Sequence, residues 1–155
     1  MKRLVFVPLL AVVAVLSCSK ERIAGTVPEI SNLGQSAQTI NILPGSEDSL
    51  AFRFSFKDGD ADIQGGQAKV VFKNILDSAA QPVEYPFPEI QAELDPSLGA
   101  SGQAIIELDA TALLFQITDT ARKRELQRYE IYMADDAGNK SNVLTSQDVE
   151  VVNEL

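Results

Sequence analysis

The sequence predicts an all-β fold, an antiparallel sandwich of about seven short strands, on three observations. In residues 50–56, Leu50, Phe52, Phe54 and Phe56 alternate with Ala51, Arg53 and Ser55, the period-two signature of a strand with one face in a core. The same alternation returns at residues 68–72, 102–109 and 129–133. Between these stretches lie turn clusters rich in Asp, Gly, Asn and Pro, and no long segment keeps a helical period.

Taken in order, residues 26–33 open the domain, with Pro28 restricting that strand to an edge or a start. Residues 39–43 form a short extended piece before Pro44 and Gly45 turn the chain. The strand at 50–56 runs into an acidic turn and Gly65-Gly66, then into 68–72, and the two read as an antiparallel pair. Residues 81–99 carry four prolines, which implies a long loop or an irregular edge. Strand pattern resumes at 102–109, with Ala104, Ile106 and Leu108 on one face, and a further short strand is expected at 113–117. Residues 121–128 contain helix formers, but they lead without a break into YEIYM and read as a loop becoming a strand. Tyr129, Ile131 and Met133 share a face, an Asp/Gly/Asn turn follows, and residues 143–152 supply a closing strand or strand pair.

At 155 residues, the chain has room for one domain. Cys18 is its only cysteine, so no intrachain disulfide forms, and the absence of histidine excludes imidazole zinc sites and histidine-based triads. The N-terminus carries Lys2 and Arg3 ahead of the apolar run 4–16, which is shorter than the roughly 20 residues of a membrane span and suits a secretory signal. Val15, Leu16 and Ser17 before Cys18 resemble the lipobox of a bacterial lipoprotein precursor. That resemblance implies cleavage after residue 17, diacylation of the Cys18 thiol and acylation of the new amine by fatty chains such as palmitate. Residues 18–25 would then be a flexible lipidated tether and 26–155 the folded domain. Ser19 lacks the aspartate that marks inner-membrane retention, which favours the outer membrane, while Lys20, Glu21 and Arg22 leave surface and periplasmic sides both open.

Removing the signal deepens a formal charge of −9 to about −11. Nucleic acid is excluded as a partner, because phosphate binding demands a basic face. The membrane is reached through lipid on Cys18 rather than through charge.

Two stretches, LAFRFSFKDGDADIQGG and RYEIYMADDAGNKSN, resemble a group of Bacteroidota lipoproteins with a single immunoglobulin-like or cadherin-like sandwich. The first is similar to that family's strand and acidic DGD turn, although Ala61 stands where a glycine is common; the second is similar to its late strand and AGN turn. The resemblance implies an immunoglobulin-like β-sandwich and an envelope location, and leaves the molecular activity open.

Asp58, Asp60 and Asp62 alternate as oxygen ligands for calcium would, or they form a solvated corner. An EF-hand beginning at Asp58 needs Gly at its sixth position and Glu at its twelfth, and Ile63 and Lys69 stand there instead. A calcium site would therefore have to draw on Asp135, Asp136 and Asn139 in the second acidic turn, if the two turns meet. Tyr85 and Phe87, inside the proline-rich stretch, are candidates for an exposed recognition site. The expected function is non-catalytic: an envelope lipoprotein whose sandwich binds a protein or glycan partner, or assembles, at the outer membrane. A periplasm-facing spacer subunit is the alternative, and a carboxylate-dependent hydrolase a remote one, with no tryptophan to stack sugar rings.

Overall fold

A computed structural model describes residues 22–89, 96–117 and 123–154. The expected signal segment 1–17, Cys18 and residues 19–21 of the tether lie outside the described residues. Among those described, the chain is an all-β sandwich of ten strands: β1 Glu29–Gln35, β2 Thr39–Asn41, β3 Ser49–Asp58, β4 Lys69–Asn74, β5 Val83–Pro86, β6 Ala100–Asp109, β7 Arg124–Gln127, β8 Tyr129–Ala134, β9 Leu144–Thr145 and β10 Val149–Val152. No helix among them is long and apolar enough to cross a membrane.

The strands form three sheets, ordered β1-β3-β6, β2-β10-β7 and β5-β4-β8-β9. Pairing is antiparallel throughout except between β2 and β10, which run parallel. β3 and β6 are paired over their full lengths, from Ser49 opposite Asp109 to Asp58 opposite Ala100. β1 runs along the other side of β3 as an edge strand, with its register broken between Ser31 and Gly34. Asn32 sits in that break at a left-handed φ of 54°.

Several local expectations are corrected. Residues 50–56 and 68–72 are not a hairpin: β3 and β4 belong to different sheets, and β4 pairs with β5 and β8. Residues 113–117 hold a 3-10 turn, Leu113–Phe115, because Leu114 and Phe115 face inward together while Leu113 is 65% exposed, a spacing that no strand allows. The proline-rich stretch contains β5, an edge strand whose Pro86 stands opposite Lys69. β7 and β8 are separated at Arg128 and enter different sheets, and the closing segment likewise divides into β9 and β10.

Even-numbered residues Leu50–Phe56 of β3 meet Val70 and Phe72 of β4 and Tyr129, Ile131 and Met133 of β8 in one buried cluster. The Phe52 ring packs 5.1 Å from Phe72 and edge-on to Tyr129 at 5.8 Å, so aromatic contacts bind the first sheet to the third. Ile40, Val149 and Val151 bring the short second sheet into the same core. Tyr129 donates its hydroxyl proton to the Gln127 side-chain oxygen, which gives the deepest phenol a partner.

Candidate metal centre

The acidic end of the molecule is a product of strand parity. β3 buries every second residue, and Asp58 occupies the next position in the stripe Leu50, Phe52, Phe54, Phe56. The alternation that buries the phenylalanines therefore drives a carboxylate inward. β8 does the same from the opposite sheet: Tyr129, Ile131 and Met133 point into the core, and Asp135, just past the strand end, is two residues further along. Asp58 is 1% exposed and Asp135 2% exposed.

The turn after β3 adds the remaining oxygens. Ala61, buried and at a left-handed φ of 56°, folds the chain back so that Asp62 joins Asp58 and Asp135. One carboxylate oxygen from each of the three lies within 4.8 Å of the others. Oxygens sharing one calcium ion at 2.3–2.6 Å stand at most about 5 Å apart, so the spacing fits a common cation.

Both oxygens of Asp58 are buried without a hydrogen-bond partner, as is one oxygen each of Asp60 and Asp62. Buried carboxylates normally accept hydrogen bonds, and leaving them bare costs about 1–3 kcal/mol or more. Two ionised carboxylates at this separation repel by roughly 3 kcal/mol at an effective dielectric of 20. Burial, followed by Asp60 and Asp62, pushes the Asp58 carboxyl from 3.8 up to about 7. Asp62 is raised as well, by burial and then by Asp135 and Asp60, against the lowering effect of a hydrogen bond from the Ala137 backbone. Hard oxygen donors with unspent lone pairs suit calcium rather than a transition metal.

The other expected ligands have different tasks. The Asp136 carboxylate accepts backbone N–H bonds from Gly65, from Gln67 at 2.7 Å and from Ala68 at 2.7 Å, and so fixes the way into β4. Asn139 holds Asp135 in place: its backbone N–H donates to one carboxylate oxygen at 2.7 Å and its side-chain amide to the other at 2.8 Å. The same amide donates to the Thr26 carbonyl at 3.0 Å, a link to the N-terminal segment that no local sequence signal announces. The two acidic turns are also joined by the Asp136 N–H, which donates to the Asp62 carbonyl at 2.8 Å.

Tyr85 and Phe87 do not form an exposed platform. Both are half-buried against the core, Tyr85 edge-on to Phe72 at 5.8 Å and Phe87 edge-on to Phe56 at 5.2 Å. Pro86 and Pro88 hold the chain extended, so the odd-numbered rings turn inward.

No protein-family model matches the sequence, and no curated protein matches it. Among solved structures, the chain is similar to a Niemann-Pick type C2 protein from Japanese carpenter ant, at 10% identity and a TM-score of 0.49, over 84% of this chain and 97% of that one. It is also similar to part of the alkylpurine DNA glycosylase AlkC of Pseudomonas fluorescens, at 13% identity and a TM-score of 0.46, over 83% of this chain and 31% of that one. A β-glucosidase from Listeria innocua is similar at 18% identity and a TM-score of 0.40, over 83% of this chain and 16% of the enzyme.

Proposed function

We propose that the chain is a calcium-binding lipoprotein of the bacterial envelope, anchored through Cys18, whose sandwich is a non-catalytic module for binding a protein or glycan partner or for assembly at the outer membrane. The observation that carries the calcium reading is Asp58, a carboxylate at the end of a phenylalanine stripe with neither oxygen partnered. A divalent cation beside it would neutralise the repulsion with Asp62 and Asp135 and fill the vacant lone pairs. Asp58, Asp62 and Asp135 would hold the ion, with Asp60 beside them. Two oxygens unpartnered at the same place favour a ligand over a solvated corner, since water reaching Asp58 would show as exposure.

One calcium per chain is expected in equilibrium dialysis of the full-length protein, released by chelator; no bound calcium at millimolar concentration overturns the reading. The anchor rests on the lipobox-like run before Cys18 and has its own check. Cys18→Ala is expected to move the protein from the membrane pellet to the soluble fraction, since each buried acyl methylene holds by about 0.8 kcal/mol. Unchanged pelleting without detergent would remove the lipid from the account.

A further inference from the structure

We propose that calcium at the acidic end clamps residues 23–26 onto the sandwich, so that cation occupancy decides whether the segment leading into the domain is held or released. This deepens the calcium reading and rests on it. The sequence predicts a flexible tether through residue 25, yet the last part of that stretch lies against the acidic turn.

Four contacts place it there. The Ile23 N–H donates to the Leu98 carbonyl at 3.1 Å. Gly59 approaches the Gly25 carbonyl so closely that any Cβ on Gly59 would collide with it. A Cβ on Gly99 would lie 2.9 Å from that of Ile23 and 2.6 Å from the Asp58 carbonyl oxygen, so this second glycine also makes room for the segment. The Thr26 carbonyl accepts the Asn139 amide.

Two of these holds are part of the carboxylate cluster. Gly59 lies between Asp58 and Asp60, and its position follows the turn that a cation would pin. Asn139 spends one amide on Asp135 and on Thr26 together, so fixing Asp135 fixes the Thr26 grip. The segment contributes little burial of its own: Ile23 is half-buried and residues 24–27 are exposed, up to buried Pro28. A strap so thinly packed depends on the geometry beneath it. When the cation leaves, repulsion among Asp58, Asp62 and Asp135 spreads the turn, and the Gly59 floor and the Asn139 bridge shift together. By linkage, a docked strap must raise calcium affinity by the same factor that calcium raises docking.

The Arg22–Ile23 bond makes the coupling measurable, because trypsin needs the residues flanking its cut to be extended and free. In the full-length chain in detergent, calcium is expected to slow formation of the fragment beginning at Ile23 by about tenfold, within the usual five- to 150-fold range of site coupling. Gly59→Ala adds only a Cβ aimed at the Gly25 carbonyl, and Gly59 has no left-handed φ to strain. This variant is expected to be cut at one fast rate with or without calcium, and to bind calcium about fivefold or more weakly by calorimetry. Ile23→Ser, outside the sandwich strands and without charge beside the cut, should be cut after Arg22 at the same fast rate with or without calcium, and carries the test if Gly59→Ala does not fold. Calcium binding by the wild type with an unchanged rate of cutting overturns the clamp and leaves the cation site standing. No heat of calcium binding overturns site and clamp together.

Discussion

Asp58→Asn is expected to abolish the calcium response while raising the melting temperature of the metal-free protein. For the proposed site in the wild type, calcium at one hundred times its dissociation constant would add about 2.7 kcal/mol to stability. For a domain of this size that is a rise on the order of 10 °C. Asparagine keeps the shape of the side chain and removes the charge that draws the cation, so this rise should vanish. The metal-free variant should melt about 3–6 °C above the metal-free wild type near pH 8, because an uncompensated buried charge is gone.

The effect depends on pH with a definite sign. Asp58 titrates at 3.8 when unfolded and at about 7 when folded, so between those values the native state binds the extra proton. Metal-free stability therefore falls as pH rises from about 4 through 7 and then levels off. Burial sets the upper end of that window, helped by Asp60, Asp62 and Asp135, the carboxylates facing Asp58. Thermal melts with chelator at pH 4, 6 and 8 should show this decline in the wild type and a flatter profile in Asp58→Asn. A variant that keeps the full calcium-induced rise would remove Asp58 from the site.

Phe72→Ala is expected to be the most damaging single core substitution among the strands of the third sheet. Phe72 is fully buried, and its ring meets Phe52 at 5.1 Å, Tyr85 at 5.8 Å and Tyr129 at 6.4 Å. It touches β3, β5 and β8 at once, so no one neighbour can move to fill the gap. Such truncations cost about 3–5 kcal/mol, against a typical total of about 5–15 kcal/mol. Urea unfolding in saturating calcium should show a lower midpoint at an unchanged slope, and Phe72→Leu should recover most of the loss. A change below about 1 kcal/mol would mean that the aromatic contacts do not bind the sheets together.

Side-chain parity was the most legible part of the chain. Alternation alone put Leu50, Phe52, Phe54 and Phe56 inside, and the same for Ala104, Ile106 and Leu108 and for Tyr129, Ile131 and Met133. Carried one step further, it also puts Asp58 and Asp135 inside, which makes them the best-specified members of the acidic site. Parity says which face is buried but not which strand lies alongside, so it suggests pairing residues 50–56 with 68–72 although the chain crosses between sheets there. Asp136 reads as a ligand from its place in the second acidic turn, but its oxygens are taken by the N–H groups of Gly65, Gln67 and Ala68, about 70 residues earlier in the chain. No local pattern encodes that contact, or the one between Asn139 and Thr26. Gly59 offered a weaker signal, since a glycine at a strand end often marks a close backbone approach.

The break in β1 also bears on how the molecule behaves when crowded. An exposed sheet edge is a template on which a second chain can grow, and long flat edges seed aggregates. After Ser31, β1 loses register with β3, and Asn32 turns its backbone out of the strand conformation. A neighbour adding to that edge would find the Ile30 N–H and carbonyl already bonded to the Asn142 side-chain amide, and would meet a kink after three residues. β5 ends in Pro86, which has no N–H to donate, so the edge of the four-stranded sheet is blunted by other means. These two edges therefore resist strand addition, whereas β6, the other edge of the first sheet, runs ten residues without a break and is the backbone edge on which a second chain would add most readily.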